Sequence, residues 1–281
     1  MGKRILSGAI LMAILWTVIL VNLFFPYGMN LVIAGLSAWA VYEITNAMGL
    51  AKCWYVLVPN MVFALLLPLT RAAWMWPWLS VYLHGACYLL YLLAFFALVL
   101  YHHEEIHFVD VGAAFGMTLL IATAMTCLVY VRDFAGYHGA FYVFMTICAS
   151  WVADAGAYFA GSFWGKHKLC PKLSPKKTVE GVFGGFFLNI LAMLVFGTCY
   201  NYIFYGGILH ISYLSLVLVG LVTTVISILG DLTFSFIKRA RGIKDYGTII
   251  PGHGGILDRF DSVIFVAPFC YFFFQLLPMI R

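Results

Sequence analysis

Asp258 and Asp261 stand three residues apart behind the run P-G-H-G-G, and Asp231 lies in the apolar segment that precedes this loop. Helical residues at i and i+3 share a face, so the first two project together and Asp231 is delivered to them by the segment before. Acids at a helix N-terminus also complement the macrodipole, which is the ordinary explanation of an isolated D-x-x-D. The glycines weigh against that explanation here, because they let the backbone approach a ligand closely. Three converging carboxylates make a hard-oxygen site suited to Mg²⁺, which keeps waters and binds through one or two carboxylates plus substrate phosphate oxygens.

Cations surround these acids. Lys238, Arg239, Arg241, Lys244 and Arg259 interleave with Asp245, Asp258 and Asp261, and Lys166, Lys168, Lys172, Lys176 and Lys177 crowd an earlier stretch. Topogenic signals or acidic lipid head groups would account for lysines alone. They leave the alternating acids unexplained. Magnesium, fixed cations and flexible glycines are the equipment for handling polyphosphate, where catalysis is mostly positioning and charge neutralisation. No serine, cysteine or histidine triad stands out, and a phosphate oxygen acting as nucleophile needs none.

The elements that must position these groups are membrane helices. Of 281 residues, 64% are hydrophobic and 10% charged, far from the roughly 25% charged composition of soluble domains. A span needs about 20 apolar residues, and hydropathy predicts about nine: 6–25, 29–50, 53–70, 77–101, 109–131, 139–163, 181–205, 208–234 and 260–280. The third, flanked by Pro59 and Pro68, is short. The first could pass for a signal peptide, but its length and the lack of a small-residue cleavage site predict a retained helix. No repeat or linker divides the chain, so 1–281 reads as one all-α polytopic transmembrane domain.

Cytoplasmic loops carry the excess of Lys and Arg. With a cytosolic N-terminus, only Arg71, Arg132 and Arg281 of the 16 basic residues fall outside, which also predicts an external C-terminus. The net charge of +5 thus belongs to topology, and nucleic acid is not an expected partner. Glu43, Asp154 and Asp231 lie inside apolar runs, where a charge costs at least about 2.5–3.5 kcal/mol and marks a site. Glu104, Glu105, Asp110 and Asp133 fall at helix ends and read as solvated. The seven cysteines are scattered singly, with no metal spacing, and read as small buried hydrophobes. Gly112/Gly116 and Gly181/Gly185 have the spacing of close helix contacts, read as packing within the chain. The cluster Trp74–Trp78 reads as an interfacial belt.

The run S-F-I-K-R-A-R-G-I-K-D-Y-G-T-I-I-P-G-H-G-G-I-L-D-R-F-D, Ser235–Asp261, closely resembles the signature of the phosphatidate cytidylyltransferases, or CDP-diacylglycerol synthases. D-A-G-A-Y-F-A-G-S-F-W-G-K from Asp154, followed by S-P-K-K-T-V-E-G from Ser174, resembles a second block of that family. The two blocks cover residues 154–261. Glu43 resembles a buried acid in the same region of relatives. The resemblance implies that CTP and phosphatidic acid are converted to CDP-diacylglycerol and pyrophosphate at the cytosolic face, with Mg²⁺. It also implies a second cation, K⁺, and a homodimer among membrane lipids. The compact chain suits a bacterial inner membrane.

On this reading Asp231, Asp258 and Asp261 hold the metal, and Asp154 is a further ligand or orients a lysine. Lys238, Arg239 and Lys244 neutralise phosphates, His253 donates to pyrophosphate, and Asp245 and Arg259 complete the catalytic set. Substrate contacts come from Ser174, Lys176, Lys177 and Thr178 of the earlier block and from Ser235, Gly254 and Gly255. A CTP-dependent lipid kinase of the polyprenol type would share these needs, but the complete S-P-K-K-T-x-E-G and P-G-H-G-G-x-x-D-R-x-D blocks favour the cytidylyltransferase. A transporter would place acids near the midplane in repeated halves, whereas here they gather on one side with the cations.

Overall fold

A computed structural model describes residues 25–71, 77–249 and 254–280. The expected run 6–25 lies outside the described residues except for its last position, as do Trp74, Met75 and Trp76 of the aromatic cluster. Each of the other eight runs becomes a helix: α1 Pro26–Ala47, α2 Trp54–Leu69, α3 Pro77–Tyr101, α4 Phe108–Phe134, α5 Gly139–Trp164, α6 Val179–Tyr205, α7 Tyr213–Ala240 and α8 Leu257–Leu276. Helices are the outcome that a bilayer dictates, since each satisfies its own backbone polar groups without water. Five segments are long and apolar enough to cross a membrane: Trp78–Tyr101, Phe108–Phe134, Gly136–Trp164, Val179–Tyr205 and Tyr213–Ala240. The chain is an all-α polytopic membrane protein.

One feature departs from the expected loop at Trp164–Glu180. Strands β1 Lys168–Cys170 and β2 Ser174–Thr178 pair antiparallel, with Lys168 opposite Thr178 and Cys170 opposite Ser174. Leu173 N donates to Cys170 O at 3.2 Å, closing a turn whose second residue is Pro171, the position that proline pre-organises. At the hairpin's exit Thr178 caps α6 by accepting from Gly181 N at 3.1 Å. Glu180, in the first turn of α6, accepts from Lys166 N at 3.1 Å and from His167 Nδ1 at 2.6 Å.

The chain divides into two compact units, Met1–Asp133 with Ala240–Phe260, and Phe134–Arg239 with Asp261–Arg281. In the first, α1 packs on α2 and α2 on α3. Their core joins Val41 and Ile44 to Val56, Phe63 and Leu67, all buried. Tyr91 stacks on Phe63 at 4.2 Å and donates to Asn60 Oδ1 at 2.9 Å, so that a buried hydroxyl keeps a partner.

In the second unit α5 and α6 meet along small residues. A Cβ on Gly181 would lie 2.6 Å from Ala157 O, and one on Gly185 would lie 3.0 Å from Ala153 O. The spacing read from Gly181/Gly185 is thus an intrachain contact, whereas among the described residues nothing lies within 4 Å of a Cβ on Gly112 or Gly116. Asn189 Nδ2 fixes α6 to α7, lying 3.0 Å from Gly220 O and 3.0 Å from Thr224 Oγ1. Because a Cβ on Gly184 would run into that of Ala160, Gly184→Ala is expected to cost about 1–3 kcal/mol, read as a lowered thermal midpoint in detergent. All seven cysteines are free; Cys127, Cys148 and Cys270 are buried as expected, but Cys199 is exposed on α6.

Candidate active site

In the second unit, three acids expected to hold a metal come into one another's electrostatic range. Asp154 stands on α5, Asp231 on α7 and Asp261 on α8, and each of Asp154 and Asp261 senses the charge of Asp231. Asp261 is 7% exposed. The carboxylates are held by hydroxyls and one lysine. Ser227 Oγ donates to Asp154 Oδ1 at 3.1 Å, and Ser262 Oγ lies 2.9 Å from Asp154 Oδ2 and 3.3 Å from Asp261 Oδ1. Asp231 accepts from Ser235 Oγ at 3.2 Å and pairs with Lys177 Nζ at 2.6 Å. Lys238 bears on the charge of Asp261.

The hairpin carries Lys177 to this group. Thr178 is 4% exposed, and its Oγ1 would sit 2.8 Å from a Cβ on either Gly161 or Gly165. Those glycines let α5 clamp the end of β2, which fixes the residue before Thr178. Thr178 therefore supports Lys177 from the helix contact. Lys176 is exposed and Ser174 half-buried in the same strand.

Among the described residues no three Asp, Glu, His or Cys side chains converge closely enough to enclose a metal ion by themselves. What the group does offer is hard oxygens beside a fixed ammonium. Such a set can take part of the coordination of an ion whose remaining positions are filled by phosphate and water.

Apart from Arg239, the other expected residues belong to the first unit, where the signature loop is folded around two buried acids. Glu43, 2% exposed on α1, accepts from Ile256 N at 3.1 Å through Oε1 and from Leu257 N at 2.8 Å through Oε2. It thereby satisfies amides at the start of α8 that have no intrahelical acceptor. Asp258 Oδ2 accepts from Tyr246 N at 2.8 Å and from Gly255 N at 3.0 Å, closing the loop on itself. Gly255 must be glycine, because a Cβ there would strike both carboxylate oxygens of Glu43. Gly254 needs its freedom for another reason, a φ of 80°.

Lys244 and Asp245 are exposed in this loop, and Arg259 is half-buried. Arg239 is exposed at the end of α7. His253 lies outside the described residues. Arg241, not among the expected site residues, pairs through Nη2 with Asp110 Oδ1 at 2.6 Å, tying the loop to the first turn of α4. Sequence reasoning passed over Ser227 and Ser262. Ser227 sits one helical turn before Asp231 and Ser262 follows Asp261, so spacing alone could have flagged both.

The chain is similar to known cytidylyltransferases. The phosphatidate cytidylyltransferase of Bacillus subtilis is 41% identical over 173 residues, which cover 62% of this chain and 60% of that protein. That of Haemophilus influenzae is 42% identical over 142 residues, 50% of this chain and 48% of the relative. That of Staphylococcus epidermidis is 46% identical over 127 residues, 45% of this chain and 46% of the relative. The matched segments thus span between 46% and 60% of these relatives' length. A sequence model of the cytidylyltransferase family extends much further, over residues 2–277, and the chain belongs to that family.

Proposed function

We propose that this protein transfers the cytidylyl group of CTP to phosphatidic acid, forming CDP-diacylglycerol and pyrophosphate. The observation that carries the reading is the group Asp154, Asp231 and Asp261 with Lys177 held 2.6 Å from Asp231, in a family of cytidylyltransferases. A phosphate oxygen of phosphatidic acid attacks the α-phosphorus of CTP, the bond from that phosphorus to the bridging β-phosphate oxygen breaks, and pyrophosphate leaves. The barrier is the approach of one anion to another. Lys177 and Lys238 offset that repulsion with fixed positive charge, and Ser227, Ser235 and Ser262 keep the carboxylates oriented.

Mg²⁺ fits this donor set: Asp231 and Asp261, with Asp154 beside them, supply hard oxygens but too few to enclose an ion, which suits a metal completed by substrate phosphates. When bound, it would screen charge between the two phosphates and stabilise the departing pyrophosphate. The Lys/Arg bias supports a cytosolic location for this face, and the similarity to bacterial relatives supports a bacterial inner membrane for the chain.

Purified full-length protein supplied with CTP and phosphatidic acid should release pyrophosphate in equal amount to CDP-diacylglycerol, and a chelator of divalent ions should stop both. Release of CDP, with diacylglycerol as the better acceptor, would contradict the reading. Lys177→Ala should lower turnover by about a hundredfold or more, measured as initial rate at saturating CTP, because Asp231 loses the cation that holds it.

A further inference from the structure

We infer that the groove between α2 and α3, with the arginine cluster at its end, binds an anionic phospholipid, at the opposite end of α4 from the signature loop. The groove has a volume of about 510 Å³, within the roughly 300–1,000 Å³ usual for ligand sites. Its walls are apolar, including Val62, Leu66, Leu83, Ala86 and Leu90. Leu90 is 65% and Leu66 45% exposed, and in a bilayer the medium that meets them is hydrocarbon. An acyl chain is the natural occupant of such a slot.

The polar end begins at Thr70, which also lines the groove. Thr70 Oγ1 lies 2.8 Å from His84 Nδ1, and His84 Nε2 lies 2.5 Å from Tyr130 Oη. The Arg71 guanidinium sits over the Tyr130 ring at 4.6 Å. Among the described residues the buried Arg71 Nε has no hydrogen-bond partner. Its nearest acid is Asp133, whose Oδ2 stands 4.0 Å away and is likewise unpartnered. The other oxygen of Asp133 accepts from Arg132 Nε at 3.0 Å and Nη2 at 2.7 Å. Arg132 Nη1 also donates to Asn30 Oδ1 at 2.6 Å. Among the described residues of this cluster two guanidinium groups thus face one carboxylate, a surplus of positive charge, and guanidinium is the side-chain group best matched to phosphate oxygens.

An apolar slot that ends in surplus positive charge has the shape of an amphiphile with an anionic head. The location separates it from the signature loop. Arg132 is 22 residues beyond Asp110 on α4, roughly 33 Å along the helix, and Asp110 is where the signature loop is tied through Arg241. The lipid therefore comes from the leaflet opposite that loop.

The test uses full-length protein stripped of lipid in detergent and titrated by native mass spectrometry with dioleoyl-phosphatidylglycerol, dioleoyl-phosphatidylcholine and glycerol 3-phosphate. The wild type should retain one phosphatidylglycerol per chain at least about tenfold more tightly than phosphatidylcholine, and should not retain glycerol 3-phosphate. Arg71→Gln should bring phosphatidylglycerol down to the phosphatidylcholine level. Ala86→Phe, which fills the slot without touching the arginines, should abolish retention of both and keeps the test open if the arginine variant fails to fold. Equal retention of the two lipids, or retention unaffected by Ala86→Phe, would overturn the inference. So would binding of glycerol 3-phosphate as tight as that of the lipid. If Ala86→Phe instead converted a dimer to a monomer with lipid adducts unchanged, the groove would belong to a second copy and the inference would fall.

Discussion

Replacing Asp231 by asparagine should reduce cytidylyl transfer by about a thousandfold or more while the helical fold persists. Asparagine keeps the side-chain volume and can still accept from Ser235. What it removes is the negative charge that pairs with Lys177 Nζ at 2.6 Å and acts on Asp154 and Asp261. That loss acts twice. The lysine loses its anchor, and the hard-oxygen set loses one of the carboxylates through which a divalent ion would be held. The side chains of Lys177 and Asp231 are 19% and 27% exposed, so the stability change should stay modest, since partly solvated pairs contribute little to folding. Initial rates at saturating CTP and Mg²⁺, with thermal midpoints measured alongside, separate the two effects. Near-normal turnover would sink the assignment of this carboxylate.

The second large effect is expected at Glu43. Its two oxygens accept separately from Ile256 N and Leu257 N, and an unpaired buried backbone donor costs about 1–3 kcal/mol. Glu43→Ala should therefore lower stability by about 2–6 kcal/mol and abolish turnover by releasing the start of α8. Glu43→Gln is the sharper variant: an amide offers one acceptor and presents a donor to the second N–H, so it should recover only part of the stability. Gly255→Ala should resemble Glu43→Ala, because the added Cβ displaces the same carboxylate. Denaturation in detergent gives the ranking, and an unchanged midpoint for Glu43→Ala would contradict the role given to this acid.

The helices were legible because hydropathy and backbone satisfaction demand the same thing in a bilayer. The run read at 53–70 is the helix Trp54–Leu69, prolines included. The run read at 208–234 continues to Ala240, since Lys238 and Arg239 end the apolar stretch without ending the hydrogen bonding, and long basic side chains reach the interface from within a helix. The hairpin was not legible: its strands are short and lysine-rich, and only Pro171 at the turn hinted at it. Among the carboxylates, the i, i+3 spacing of Asp258 and Asp261 was visible, but not the partners of each. Asp258 Oδ2 meets the amides of Tyr246 and Gly255. Glu43 takes amides more than 200 residues ahead of it in sequence. Such pairings are set by tertiary packing, which no local pattern encodes.

The central claim is that the α-phosphorus of CTP ends up on the lipid. CTP labelled separately at the α and γ positions, incubated with phosphatidic acid and purified protein, tests it directly. The account predicts label in the lipid product from the α position and none from the γ position. Label from γ would make the protein a lipid kinase, and label from neither would remove nucleotide chemistry from the account altogether.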